Sequence, residues 1–150
     1  MLSTKLVQLI EGHWEEIAAR LIREVRRNSD TRTLAVRSDA ELREWCQSIL
    51  EHLGQLLIAK KDDEVRRRFE TYGRRRFEEN TPLPEAVMRL HLLQDTIVAF
   101  VHEQGFPMTA LQLYAEEELE QRMTRFFHAC VYAVVRGYEA AKHLEQRVAS

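Results

Sequence analysis

Six histidines and a run of arginines are the residues of this chain whose types could do chemistry. His13, His52, His91, His102, His128 and His143 are scattered. None falls in the His-Glu-x-x-His or Glu-x-x-His spacing with which helices hold zinc or paired iron, so no metal site is expected. His91 stands one turn after Val87 beside an apolar stripe, and His128 follows Phe127 in the most apolar part of the chain. These two are the candidates for an axial haem ligand if either faces an internal cavity. The simpler reading of each is a half-buried, hydrogen-bonded ring. His102-Glu103 has the letters of a phosphoacceptor histidine but lies at a helix end without a flanking dimerisation pattern.

Arg66, Arg67, Arg68, Arg74, Arg75 and Arg76 could form a phosphate-binding face. Against that, Glu64–Arg68, Arg66–Glu70, Glu70–Arg74, Arg74–Glu78 and Arg75–Glu79 are all spaced for pairing one helical turn apart, so the segment neutralises itself. A helix that grips nucleic acid leaves a net positive stripe. The expectation is a solvated, ion-paired face, with a protein-binding surface as its rival and no nucleic-acid partner. Enzyme chemistry finds no support: serines lie near helix ends without a Gly-x-Ser-x-Gly context, and there is no glycine-rich phosphate loop. The run Glu116–Glu118 with Glu120 sits early on a helix, where the dipole favours acids. Cys46 and Cys130 lie far apart within apolar helical patterns, the setting of two buried thiols and not of a redox pair.

The elements that position these residues are helical. Hydrophobic residues make up 45% and charged residues 31% of 150, with only five glycines and three prolines to make turns, which favours long helices with charged outer faces. A net charge of −2 gives no reason to invoke nucleic acid or anionic lipid. No apolar run approaches the roughly 18 residues of a membrane span. The opening MLSTKLVQLIEGHWEE meets charge too soon for a secretory signal. A single cytoplasmic domain with no membrane partner is therefore expected.

Periodicity and breakers give the boundaries. A first helix is expected over 4–28, with Leu6, Leu9, Ile10, Trp14, Ile17, Leu21 and Val25 as its stripe. A loop follows over 29–37. Ser38, with Glu41 three residues on, opens a second helix that buries Leu42, Trp45, Cys46, Ile49, Leu53, Leu56 and Leu57 and ends at Lys60-Lys61. The third helix, 62–79, packs through Val65, Phe69, Tyr72 and Phe77. The fourth, 82–104, restarts at Thr81-Pro82, carries Leu83, Val87, Leu90, Gln94, Ile97, Val98 and Val101, and closes at Gly105-Phe106-Pro107. Thr109 with Gln112 caps a last helix that runs to about 147. Such a helix is roughly 55–60 Å long, whereas a domain of this length has a radius of gyration of about 15 Å, so something else must meet its end. Leu111, Tyr114, Leu119, Met123, Phe126, Phe127, Cys130, Val131, Val134, Val135, Tyr138 and Ala141 are its apolar positions. Between 126 and 135 they cover more than one face, which places the helix centrally or against a second copy of the chain.

The stretch YGRRRFEENTPLPEAVMRLHLLQDTIVAF resembles the N-terminal helical domain of RsbRD-type RsbT co-antagonist proteins, relatives of the stressosome sensors. The matching positions are Gly73, Arg76, Pro82, Leu83, Glu85, Leu90 and Leu93, with weaker likeness in the opening helix and in Tyr132–Ala141. The resemblance implies a globin-like fold without haem and a role in stress signalling. Together the expectations are an all-α bundle of about five helices with a long C-terminal helix, non-catalytic and without cofactor. It would dimerise through Phe126, Phe127, Val131, Val134, Val135 and Tyr138 and pass a signal to an output domain or regulatory partner. A ligand- or haem-binding globin-like sensor and a protein-binding adaptor are the rivals.

Overall fold

The computed structural model describes residues 4–58, 62–104 and 109–149. In it, the first expected helix is two. α1 (Thr4–Gly12) and α2 (Trp14–Arg27) meet at His13, whose backbone leaves helical geometry at φ −114° and ψ 24°. The His13 amide donates to the Leu9 and Ile10 carbonyls, and its ring Nδ1 lies 2.9 Å from the Leu9 oxygen. The break lets Ile10 and Ile17 both reach the core with no exposed surface. The second expected helix also divides, into α4 (Asp39–Leu50) and α5 (Leu53–Ile58), so that Leu50 and Leu53 are both fully buried across the step. The expected closing residues Lys60-Lys61 lie outside the described residues.

The segment expected as a loop is ordered. Asn28 accepts a hydrogen bond from the Asp30 amide and starts a single 3-10 turn, Ser29–Thr31, which continues as the short helix α3 (Arg32–Ala35). Thr31 is fully buried and donates its hydroxyl to the Val25 carbonyl at 2.7 Å, while Leu34 points inward. A buried polar side chain needs such a partner. The Ser38 cap forms as expected, its hydroxyl accepting from the Glu41 amide.

The three remaining helices follow the expected boundaries closely: α6 (Asp62–Glu78), α7 (Leu83–Glu103) and α8 (Ala110–Ala149). Both arms of the capping box at the start of α8 close, Thr109 Oγ1 accepting from the Gln112 amide and Gln112 Oε1 from the Thr109 amide. α7 ends at Glu103 with Gln104 as its cap, and the expected stop at Gly105-Phe106-Pro107 lies outside the described residues. Among the described residues there is no strand, and the fold is an all-α bundle with a long C-terminal helix.

α6 and α8 form the centre and run in the same direction. Successive contacts advance along both, from Arg66 against Tyr132, through Glu70 against Arg136, to Phe77 against Tyr138. No side chains separate them where they cross. A Cβ on Gly73 would overlap the Val134 carbonyl, and one on Gly137 would overlap the Glu70 carbonyl. Glycine is therefore required at both places by space. α7 lies antiparallel to α8, with Gln94 near Thr124 and His102 near Glu120. α2 packs on α4 and α7. Phe69, Phe100 and Phe127 are the largest fully buried side chains, each contributing about 2–3 kcal/mol through burial.

The buried face of α7 is turned relative to the one expected. Ala86, Arg89, Leu90, Leu93, Ile97, Phe100 and Val101 face the core, while Leu83, Val87, Gln94 and Val98 are only half-buried at its flank. On α8, Leu111 and Tyr114 are also not core residues: they are 66% and 65% exposed.

Candidate functional site

The α6–α7 turn is built by its own sequence. Asn80 adopts φ 60°, a left-handed conformation that asparagine tolerates better than most residues. The Thr81 amide reaches back to the Arg76 carbonyl and the Asn80 amide to that of Phe77, which closes α6 in a Schellman motif. Pro82 cannot continue the helix and instead stands as the N-cap of α7, with Pro84 in the first turn, where a missing N–H costs nothing. Thr81 is fully buried and accepts from Arg37 Nη2, which also donates to the Glu79 carbonyl.

Glu85, in the first turn of α7, is buried and accepts from the amides of both Thr33 and Leu34, at 2.7 and 3.1 Å. A carboxylate from a distant helix thus caps the start of α3 and suits the positive end of that helix. Gly73 and Arg76 sit on α6, Leu90 and Leu93 face the core from α7, and Leu83 is half-buried. The stretch that carries the resemblance therefore does three jobs. It brings α6 against α8, reverses the chain, and ties α3 to α7.

Beside this turn, between α4, the end of α6 and the start of α7, lies an open cleft of about 550 Å³. Trp45, Ser48, Tyr72, Arg37, Arg76 and Arg89 line it together with the acids Glu41, Glu44 and Glu79. Arg89 is 4% exposed and its guanidinium stacks on the Trp45 ring at 3.9 Å, a close cation–π contact. Its Nε has no hydrogen-bond partner among the described residues. Burial, reinforced by Arg76, lowers this guanidinium from 12.5 to about 9, so it stays cationic near neutrality. Arg76 donates to Glu79 at 3.1 Å; its Nε lies 2.9 Å from the other Glu79 oxygen but without the alignment of a hydrogen bond. Tyr72 Oη donates to Ser48 Oγ, and Arg68 donates to the Ser48 carbonyl and to Tyr72 Oη.

The second feature is α8 itself. Its 40 residues span about 60 Å. The apolar belt sits centrally: Phe126, Phe127 and Val134 are buried within the chain, while Val131, Val135 and Tyr138 are half-buried. From Lys142 to Ala149 every residue is exposed, including Leu144 at 64% and Val148 at 80%.

A family model, the RsbT co-antagonist protein rsbRD N-terminal domain, matches residues 15–149. The chain belongs to that family. Comparison with curated proteins and with solved structures finds no match. Membership makes this RsbRD N-terminal domain a regulatory domain of stress signalling, from a family that takes part in stressosome protein interactions and is generally non-catalytic. No helix among its described residues is long and apolar enough to cross a membrane.

The histidine expectations need correction in this RsbRD domain. His91 and His128 are exposed, not half-buried, because each lies on the outward side of its helix, next to and not within the buried stripe. Neither faces an internal cavity where a haem could be enclosed. Among the described residues no cluster of histidine, cysteine and carboxylate has metal-binding geometry. Cys46 and Cys130 are free and buried, as their patterns imply. The arginine face is also less self-contained than its spacing suggests. Arg74–Glu78 forms at 3.8 Å, but Glu70 reaches Arg136 and Arg66 lies over Tyr132. Arg89 was not among the sequence candidates. The available signal was an arginine inside the i, i+3, i+4 frame of Ala86, Leu90, Leu93 and Ile97, with a tryptophan elsewhere to receive it.

Proposed function

We propose that this domain is a dimerising, non-catalytic sensory module of the cytoplasm, in which α8 carries packing changes from the bundle to an output domain or regulatory partner. The observation that carries the reading is the apolar stripe of α8 beyond the bundle. Val134, Gly137, Ala141, Leu144 and Val148 recur at alternating steps of three and four residues, the seam of a two-stranded coiled coil. The first two positions are covered by α6. Leu144 and Val148 continue the same seam where no other element of the described chain covers them. A second copy of α8 presenting the identical seam is the natural complement, since a twofold pair is self-complementary. The half-buried Val131, Val135 and Tyr138 flank the part of the helix from which the seam emerges.

In this arrangement a small shift of α6 on α8 is passed directly into the dimeric seam, because packed helices have discrete arrangements and do not deform continuously. The test is solution mass by light scattering over a hundredfold range of concentration, for the chain and for Leu144→Asp/Val148→Asp. The expected result is a dimer for the first and a monomer of unchanged helicity for the second. A monomer for both at every concentration would overturn the proposal.

A further inference from the structure

The cleft beside the α6–α7 turn sorts its charges by depth. Arg89 is 4% exposed, and the Arg76 and Arg37 side chains are 13% and 26% exposed. The acids lie further out, Glu79 at 40% and Glu41 at 61%. Three guanidiniums thus converge on the inner part of the cleft, with Arg75 exposed at its rim; Glu79 pairs with Arg76 and lies 4.0 Å from Arg37, as does Glu41. Arg89 has no ion-pair partner among the described residues, and its Nε donates to nothing there.

We propose that this cleft binds a small oxyanion, a carboxylate or a phosphate monoester, with Arg89 as its principal cation and Arg76 and Arg37 beside it. A buried charge is ordinarily paired, and a planar guanidinium fork is the side chain best matched to a carboxylate or phosphate. The Trp45 ring covers the Arg89 guanidinium at 3.9 Å, and the terminal nitrogens, not the buried Nε, are the donors offered to a ligand. The hydroxyls of Ser48 and Tyr72 line the same space. Glu41 and Glu44 at the outer part of the cleft repel a polyanion such as nucleic acid, while about 550 Å³ accommodates a metabolite-sized molecule. The site also adjoins the turn that joins α6 to α7. The proposal goes beyond the transmission reading of α8 and does not rest on it.

The test uses the whole chain with Trp14→Phe, so that Trp45 is the sole tryptophan fluorophore and reports on the guanidinium stacked against it. Inorganic phosphate and succinate are titrated separately at constant ionic strength, balanced with chloride, with fluorescence and thermal midpoint as readouts. The expected result is a saturable fluorescence change and a midpoint that climbs with ligand concentration. Arg89→Met should fold, because it removes an uncompensated buried charge at similar volume, and its response should saturate at concentrations at least tenfold higher. Arg89→Lys keeps the charge but not the fork, and should fall between the two. A response to phosphate alone identifies a phosphate ester site, one to succinate alone a carboxylate site, and one to both the shared chemistry. No saturable response to either anion in the parent chain overturns the proposal, whether or not the Arg89 variants fold. An equal response in Arg89→Met also overturns it.

Discussion

Adding a single methyl group where α6 crosses α8 should destabilise the chain, although glycine to alanine within a helix ordinarily stabilises it. In Gly73→Ala the new Cβ overlaps the Val134 carbonyl and sits 2.9 Å from the Tyr138 nitrogen; in Gly137→Ala it overlaps the Glu70 carbonyl. These neighbours are backbone atoms within regular helices, so no side chain can rotate away. The helices must separate, which loosens the Phe69–Phe126 and Phe77–Tyr138 ring contacts on either side. Overpacking of this kind costs about 3 kcal/mol. The higher helix propensity of alanine returns about 1 kcal/mol. The net loss is about 2 kcal/mol for each variant, a fall in Tm of roughly 4–8 °C for a chain of this length. Gly12→Ala is the internal control, because nothing lies within 4 Å of its Cβ; it should match or slightly exceed the parent. Urea denaturation followed by far-ultraviolet circular dichroism measures all three. If Gly73→Ala and Gly137→Ala prove as stable as Gly12→Ala, the direct backbone contact between α6 and α8 is wrong.

Glu85→Ala leaves the half-buried amide of Thr33 and the buried amide of Leu34 without their acceptor and should destabilise the chain by about 2–3 kcal/mol. Glu85→Gln keeps an acceptor oxygen and should lose about half as much; hydrogen exchange at those two amides would localise the effect, and unchanged protection in Glu85→Ala would count against the cap. Burial pushes the Cys46 thiol from 9.0 up to about 12 and raises that of Cys130 further. The folded state holds these protons more tightly than the unfolded chain. Their contribution to stability is therefore complete below pH 9 and declines as the pH rises toward 12. Near neutrality neither cysteine should react with a thiol reagent until the chain is unfolded by urea, and rapid labelling of the native protein would contradict the burial.

The long elements were legible because their boundaries are set by local chemistry. Ser38, Thr109 with Gln112, and Pro82 each act within four residues of themselves, so the starts of α4, α8 and α7 follow from reading along the chain. The breaks at His13 and at Glu51-His52 were not legible, since no proline or strong turn signal marks them. They are imposed by the need of Ile10 and Ile17, and of Leu50 and Leu53, to meet a common core. The same limit applied to α7. Reading polar residues outward excluded Arg89 and turned the expected face by a fraction of a turn, drawing in Gln94 and missing Leu93 and Phe100. Gly73 stood out as part of the resemblance, but only the folded chain brings it and Gly137 to the backbone contact between the two helices. Glu85 was recognisable as a motif position, while its partners in α3 lie some fifty residues away.

In the proposed transmission, the glycine crossing is the fulcrum of α8. Gly137 lies twelve residues before Ala149, so the described part of α8 beyond the crossing covers about 18 Å. With backbone set directly on backbone, there are no intervening side chains to absorb motion by changing rotamer. Tilting α8 about that fulcrum by roughly 10° would swing Ala149 by about 3 Å, over half the rise of a helical turn. Two glycines at one crossing thus set, in the proposed transmission, how far the exposed part of α8 travels for a given tilt.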